Sequence, residues 1–203
     1  MRFVGKKEKN MKENFNLVIV GVGGQGQITL LRILQEAALI EKKDFKGSEL
    51  HGLSQRGGSV EVHFRMGKNV FSPLISQGDA DLILALEMQE SLRSLYYASS
   101  KTQFLINDLI IPIPGEKVAE REETLNCLKI FTQKIKIVKA TQICKQNFGK
   151  EILAGVYLLG ISLKESFLPL KFSSLEKSLK KIIQKEYLTE NLKALYLGFE
   201  KKF

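Results

Sequence analysis

Leu17-Val18-Ile19-Val20-Gly21-Val22-Gly23-Gly24-Gln25-Gly26 passes from an uninterrupted apolar run, rich in β-branched residues, directly into a cluster of glycines. An unbroken run of that kind suits a strand buried on both faces of a parallel sheet, where no solvent face imposes alternation. Beyond the glycines, Leu30, Leu31, Leu34, Ala37 and Ala38 recur at helical spacing. The segment therefore predicts strand, glycine turn and helix, the opening unit of an α/β fold.

Working outward, Ser59 to Met66 alternates, with Val60, Val62, Phe64 and Met66 on one face and Ser59, Glu61, His63 and Arg65 on the other. That period predicts a half-buried strand with His63 at the surface or an interface. The Gly67-Lys68-Asn69 turn predicts a hairpin in which Val70-Phe71 pairs back before Pro73 ends it. Ala80 to Leu86 and Phe104-Leu105-Ile106 read as further buried strands, separated by a helical pattern through Leu92 and Leu95. Pro112 and Pro114 require extended or turning chain, because proline cannot continue a ladder. Ile135 to Val138 reads as a late strand, and everything after Ala140 as helical. Ser173 and Glu176 have capping-box spacing, and the last helix presents Leu188, Leu192, Leu195 and Phe199. Strands alternating with helices imply a Rossmann-like, mostly parallel sheet flanked by helices, with a C-terminal helical segment. We expect a polar leader over residues 1–14 and one domain over 15–203.

Composition narrows the function classes. The chain has 203 residues, 44% hydrophobic and 26% charged, which fits a globular domain with a sizeable core rather than a disordered one. The leader lacks the apolar core of a secretory signal, and no run reaches the roughly 20 apolar residues of a membrane span, so a cytoplasmic, membrane-free protein is expected. Cys127 and Cys144 are far apart with no partner at ligand spacing, which predicts reduced thiols and no metal or iron-sulfur site in this chain. The formal charge of +9 admits a nucleic-acid-binding reading. However, Lys177, Lys180, Lys181 and Lys185 share helical stretches with Glu176 and Glu186, the pattern of a solvated face, so no nucleic-acid partner is expected.

Two constellations carry chemistry. Gly21, Gly23 and Gly26, with Gly24 and Gln25 between them, match the dinucleotide fingerprint: tight turn, backbone close to a phosphate, and a helix start whose free N–H groups attract an anion. An NAD(P)-dependent reductase would add an acid about 20 residues on, for which Asp44 and Glu49 are the candidates. The second is the polar stretch from Ser48 and Glu49 to Gln55, Arg56, Gly57, Gly58 and Ser59, read as a working loop in which Arg56 is a fixed-charge donor for phosphate or carboxylate. Ser48, Glu49 and Gln55 would order that loop. His51 is expected to hydrogen-bond rather than catalyse, and Asp79 and Asp81 to form turns or caps. No catalytic group is assigned.

Taken together, Gly21-Val22-Gly23-Gly24-Gln25-Gly26, Ser48-Glu49-Leu50-His51-Gly52, Gln55-Arg56-Gly57-Gly58-Ser59-Val60 and Ser72-Pro73-Leu74-Ile75 resemble the gamma domain of the 2-oxoacid:ferredoxin oxidoreductases. The order of Glu49, His51, Gly52 and Gln55 to Val60 is most similar to the beta subunit of the indolepyruvate type. The resemblance runs from about Phe15 to Phe199. It implies oxidative decarboxylation of a 2-oxoacid with coenzyme A, giving acyl-CoA, carbon dioxide and reduced ferredoxin. It also implies that thiamine diphosphate and iron-sulfur clusters reside in a large alpha subunit, with no cofactor held by this chain alone. The two glycine-bearing segments are then expected to line either a phosphate-bearing ligand site, with coenzyme A the implied ligand, or the interface with the alpha subunit. One departure stands out: the family usually places an asparagine near Gly155, where this chain reads Leu153-Ala154-Gly155-Val156.

Overall fold

The computed structural model describes residues 14–52, 57–112 and 120–200. The elements in chain order are β1 (Asn14–Val22), α1 (Gln27–Ile40), β2 (Asp44–His51), β3 (Ser59–Gly67), β4 (Leu82–Ala85) and α2 (Glu90–Arg93). They continue with a short 3-10 helix (Ser94–Tyr97), β5 (Gln103–Asn107), α3 (Arg121–Phe131), β6 (Ile135–Val138) and α4 (Ala140–Phe148). A second 3-10 turn (Glu151–Leu153) leads into α5 (Ala154–Lys164), α6 (Phe172–Ile182) and α7 (Lys185–Glu200).

The strands form one sheet in the order β2-β3-β1-β4-β5-β6. β1, β4, β5 and β6 are parallel neighbours, whereas β3 runs antiparallel to both β1 and β2. Every strand except β3 thus points the same way, and the carboxyl ends of β1 and β4 lie side by side. Alternation splits the core into two layers. Leu17 and Ile19 of β1, with Val62 and Phe64 of β3, pack against α1 and the C-terminal helices α4 to α7. Val18, Val20, Ile83, Phe104 and Ile106 face the other way, toward Leu128 of α3 and the segment through Ile75 and Ala98.

Several local expectations give way. Residues 44–51 are a strand rather than part of a polar loop, so Ser48 and Glu49 sit in the ladder opposite His63 and Val62. Val70-Phe71 adds no strand: Arg65 donates to the carbonyls of Ser72 and Leu74, and the segment is held as an irregular clip. His63 is buried, only 1% exposed, because that clip and Tyr97 cover its face of the sheet. The capping box at Ser173 and Glu176 does not form, since α6 already starts at Phe172 and Glu176 pairs with Lys180 along the helix. A capping box occurs instead at Glu120 and Glu123 of α3. Among the described residues no helix is long and apolar enough to cross a membrane.

Candidate functional site

The glycine turn joins the end of β1 to α1, at the carboxyl edge of the sheet. Gly24 (φ +104) and Gly26 (φ +85) occupy left-handed backbone that a Cβ would strain. Gly26 is also the residue preceding α1, whose first turn receives no side-chain cap among the described residues and contains no acidic residue. Its leading N–H groups are therefore open to an anion.

Gly21 is required by close approach. A Cβ there would lie 2.6 Å from Gln25 Oε1 and 2.7 Å from Gln27 Nε2. Both glutamines are structural clamps. Gln25 Oε1 accepts the Val22 N–H at 2.8 Å while its Nε2 donates to the Leu86 carbonyl at 3.1 Å, tying the end of β1 to β4. Gln27 Nε2 donates to the Val22 carbonyl at 2.9 Å.

The second segment returns to the same place. Ser59 pairs with Val22 in the ladder, and the Gly23 N–H donates to the Gly58 carbonyl at 2.8 Å. The structure thus brings together Gly21 to Gly26, Gly57, Gly58 and Ser59. Ser59 Oγ donates to the Glu90 carboxylate of α2, an internal use of a residue expected to face a ligand. Ser48 and Glu49 are carried into β2, two strands from β1; Glu49 is exposed and the Ser48 hydroxyl is buried without a partner among the described residues. Gln55 and Arg56 lie outside the described residues.

Sequence reading missed a third set of groups at this edge. Asn107, the last residue of β5, donates through Nδ2 to the Leu86 carbonyl (2.9 Å) and to Thr141 Oγ1 (2.7 Å), and its Oδ1 accepts the Thr141 N–H. With Gly24, Gln25, Leu86 and Gly155, these two residues line a cavity of about 250 Å³ beside the turn. The rule that ligands sit outside strand carboxyl ends would have flagged Asn107, had the strand end been weighed as a site rather than as a stop. Glu87, two residues beyond β4, is buried and accepts the N–H groups of Glu90 (2.8 Å) and Ile111 (3.1 Å). Burial raises its carboxyl pKa above the usual 4.5, although the backbone donors act in the opposite direction. Asp79 and Asp81, expected to form turns or caps, accept hydrogen bonds from the Asn16 side chain and N–H and so hold the start of β1.

A dinucleotide reading fails on topology. β3 lies between β1 and β2, so an acid on β2 is displaced by a further strand spacing of about 4.8 Å from where a ribose would rest. Asp44 is placed still worse, at the start of β2 opposite Gly67, at the other end of the sheet from the turn. Among the described residues no three His, Cys, Asp or Glu side chains gather as a metal site.

The family model for pyruvate ferredoxin/flavodoxin oxidoreductase matches residues 16–201. The chain belongs to that family. It is 33% identical to indolepyruvate oxidoreductase subunit IorB of Archaeoglobus fulgidus over 91% of this chain and 93% of the relative. It is 31% identical to the pyruvate/ketoisovalerate oxidoreductases common subunit gamma of Pyrococcus abyssi, over 89% and 93%. The crystal structure of pyruvate oxidoreductase subunit PORC from Thermotoga maritima superposes with a TM-score of 0.69 at 22% identity, covering 94% of this chain and 97% of that one. A 2-oxoglutarate:ferredoxin oxidoreductase from Magnetococcus marinus, solved with 2-oxoglutarate, coenzyme A and succinyl-CoA bound, gives a TM-score of 0.70 at 16% identity; the match covers 93% of this chain and 31% of that chain. This family member therefore shares the mixed, mostly parallel sheet and C-terminal helices of whole subunits, and of a segment within a longer chain.

Proposed function

We propose that this chain is the small subunit of a 2-oxoacid:ferredoxin oxidoreductase of the indolepyruvate type. In this reading it contributes to oxidative decarboxylation of an aryl-type 2-oxoacid with coenzyme A, yielding acyl-CoA, carbon dioxide and reduced ferredoxin. Similarity to indolepyruvate oxidoreductase subunits over nearly the full length of both chains carries the assignment. The bond-breaking chemistry is assigned to a large partner subunit bearing thiamine diphosphate and iron-sulfur clusters, because the only two cysteines here, Cys127 and Cys144, lie on separate helices, α3 and α4.

The share of this chain is to hold an anion. The glycine turn supplies N–H groups at the start of α1 that take no side-chain cap among the described residues, and the Gly23 to Gly58 hydrogen bond holds Gly58 at the same edge. Coenzyme A is the ligand we assign there, with Arg56 reaching a phosphate. The test is reconstitution with the large subunit, comparing wild type, Arg56→Ala and Arg56→Lys. The expected outcome is normal association with an apparent coenzyme A constant weakened roughly tenfold to hundredfold in Arg56→Ala. Weakened association with normal use of coenzyme A would make the segment a subunit contact instead. Failure of the reconstituted pair to reduce ferredoxin with any aryl pyruvate would overturn the assignment itself.

A further inference from the structure

A second cavity, of about 450 Å³, lies between α1, the start of α5 and the junction of α6 with α7. It abuts the glycine turn through Gln25 and Gly26 but extends away from the strand ends. Its floor is apolar: Leu30, Leu153 and Val156 are buried, and Ile182 and Ile183 close the far end. The half-exposed ring of Tyr187 forms one wall. Its charged groups are Arg32, Lys150 and Glu190. Lys150 is committed to the Glu190 carboxylate and lies 5.8 Å from the centre of the Tyr187 ring, whereas Arg32 has no ion-pair partner among the described residues.

We propose that this cavity binds a monoanionic organic acid with an aromatic or branched apolar body. The charge balance selects the head group. Two cations and one carboxylate leave one net positive charge, which a carboxylate neutralises, while a doubly charged phosphate would face Glu190 uncompensated. The apolar floor selects the body, since a ligand as small as acetate would leave that surface wet. The volume lies within the range of about 300–1,000 Å³ typical of small-molecule sites, whose linings are likewise mostly apolar with a few placed polar groups. In the bound state the acid's carboxylate meets the Arg32 guanidinium and its apolar body lies against Leu30, Val156 and the Tyr187 ring. This inference does not rest on the coenzyme A reading of the turn.

The experiment is titration calorimetry on the full-length chain with phenylacetate and indole-3-acetate as probes, and with acetate, inorganic phosphate and adenosine monophosphate as comparators. Saturable binding of the aryl acids, at least tenfold tighter than acetate or either phosphate, is expected. Arg32→Gln should weaken the aryl acids roughly tenfold or more. Thr29→Phe, which fills the cavity from an exposed position on α1, should abolish binding. Absence of saturable aryl-acid binding, a preference for phosphate or adenosine monophosphate, or binding indifferent to both variants would overturn the proposal. If either variant melts early, photo-crosslinking of the unmodified chain with an aryl azide carboxylate decides the matter. Adducts must fall within residues 29–32 or 182–191, and adducts confined to other segments overturn it.

Discussion

Cys144 and Cys127 differ in burial, and that difference governs their chemistry. Cys144 on α4 is fully enclosed, and burial pushes its thiol up to about 12, whereas Cys127 lies exposed on α3. The thiolate is the reactive species, so we expect one equivalent of iodoacetamide to react with the native protein, at Cys127, and a second only after denaturation. Native labelling of Cys144 seen by peptide mapping would contradict the enclosed α4 packing. Glu61 offers a pH-dependent counterpart. Burial opposes its charge, but hydrogen bonds from His63 Nε2 at 2.9 Å and the Tyr97 hydroxyl at 2.7 Å outweigh it, leaving the carboxyl below the usual 4.5. A folded-state value below the unfolded one contributes stability that is present above the unfolded value and lost as pH falls through the folded one. The stability gap between wild type and Glu61→Gln, followed by urea unfolding, should therefore hold above the usual carboxylate value and shrink as the pH falls below it. A gap independent of pH would mean the carboxylate charge contributes nothing. Neither residue's role was legible from local pattern. Alternation placed His63 on the polar face correctly, but the cover over that face comes from Ile75 and Tyr97, which are distant in sequence and carry no periodic trace.

Helix α5 crosses α7 at a distance only glycine permits. A Cβ on Gly160 would lie 2.3 Å from the Leu195 carbonyl oxygen, and one on Gly198 would lie 2.1 Å from the Tyr157 carbonyl oxygen. Both obstacles are backbone, so no side-chain rotation relieves them. Glycine in a helix interior costs about 1 kcal/mol relative to alanine. Gly160→Ala should nevertheless destabilise the protein by ~2 kcal/mol or more, because the overpacking cost of about 1–3 kcal/mol falls at a contact between two rigid helices. Thermal melting checks this, and an unchanged or raised melting temperature would show that the helices slide apart freely. Sequence pattern identified both helices but could not pair them, since the two glycines are separated by the whole of α6. The β2–β3 hairpin eluded it for a related reason. Asp44 to His51 mixes Lys46, Gly47 and Glu49 with Phe45 and Leu50, so the edge strand shows no clean alternation, and only its ladder with β3 makes it a strand. By contrast, β1, β4 and β5 were legible because central parallel strands need apolar residues on both faces, and the edge strand β6 was legible from its alternation.

The C-terminal helices belong to the main core. Leu175 and Leu179 of α6 and Ala194 and Leu195 of α7 are fully buried in the same cluster as Leu17 and Ile19 of β1 and Leu30 and Ile33 of α1. The Ser178 hydroxyl even donates to the Ile33 carbonyl across that layer. The apolar stripe on the last helix was visible in the sequence, but its use was not, because a stripe reads the same whether it faces its own sheet or another subunit. Burial decides it residue by residue: Leu195 is enclosed, while Phe199 remains 37% exposed at the end of α7. If α6 and α7 are part of one core, damage at Leu195 must reach the sheet. Leu195→Asp places a carboxylate in this buried apolar cluster, and such changes belong to the class that costs more than about 4 kcal/mol. That is a large fraction of the roughly 5–15 kcal/mol by which a domain is stable. We expect helical and sheet signals to be lost together, in one transition shifted far down in temperature, or no folded protein at all. Amide hydrogen exchange separates this from the alternative, since protection of β1 and β4 amides should fall in step with those of α7. If α7 exchanged freely while Leu17 to Val20 and Leu82 to Ala85 kept their protection, the C-terminal helices would be a dispensable addition to a sheet that stands without them.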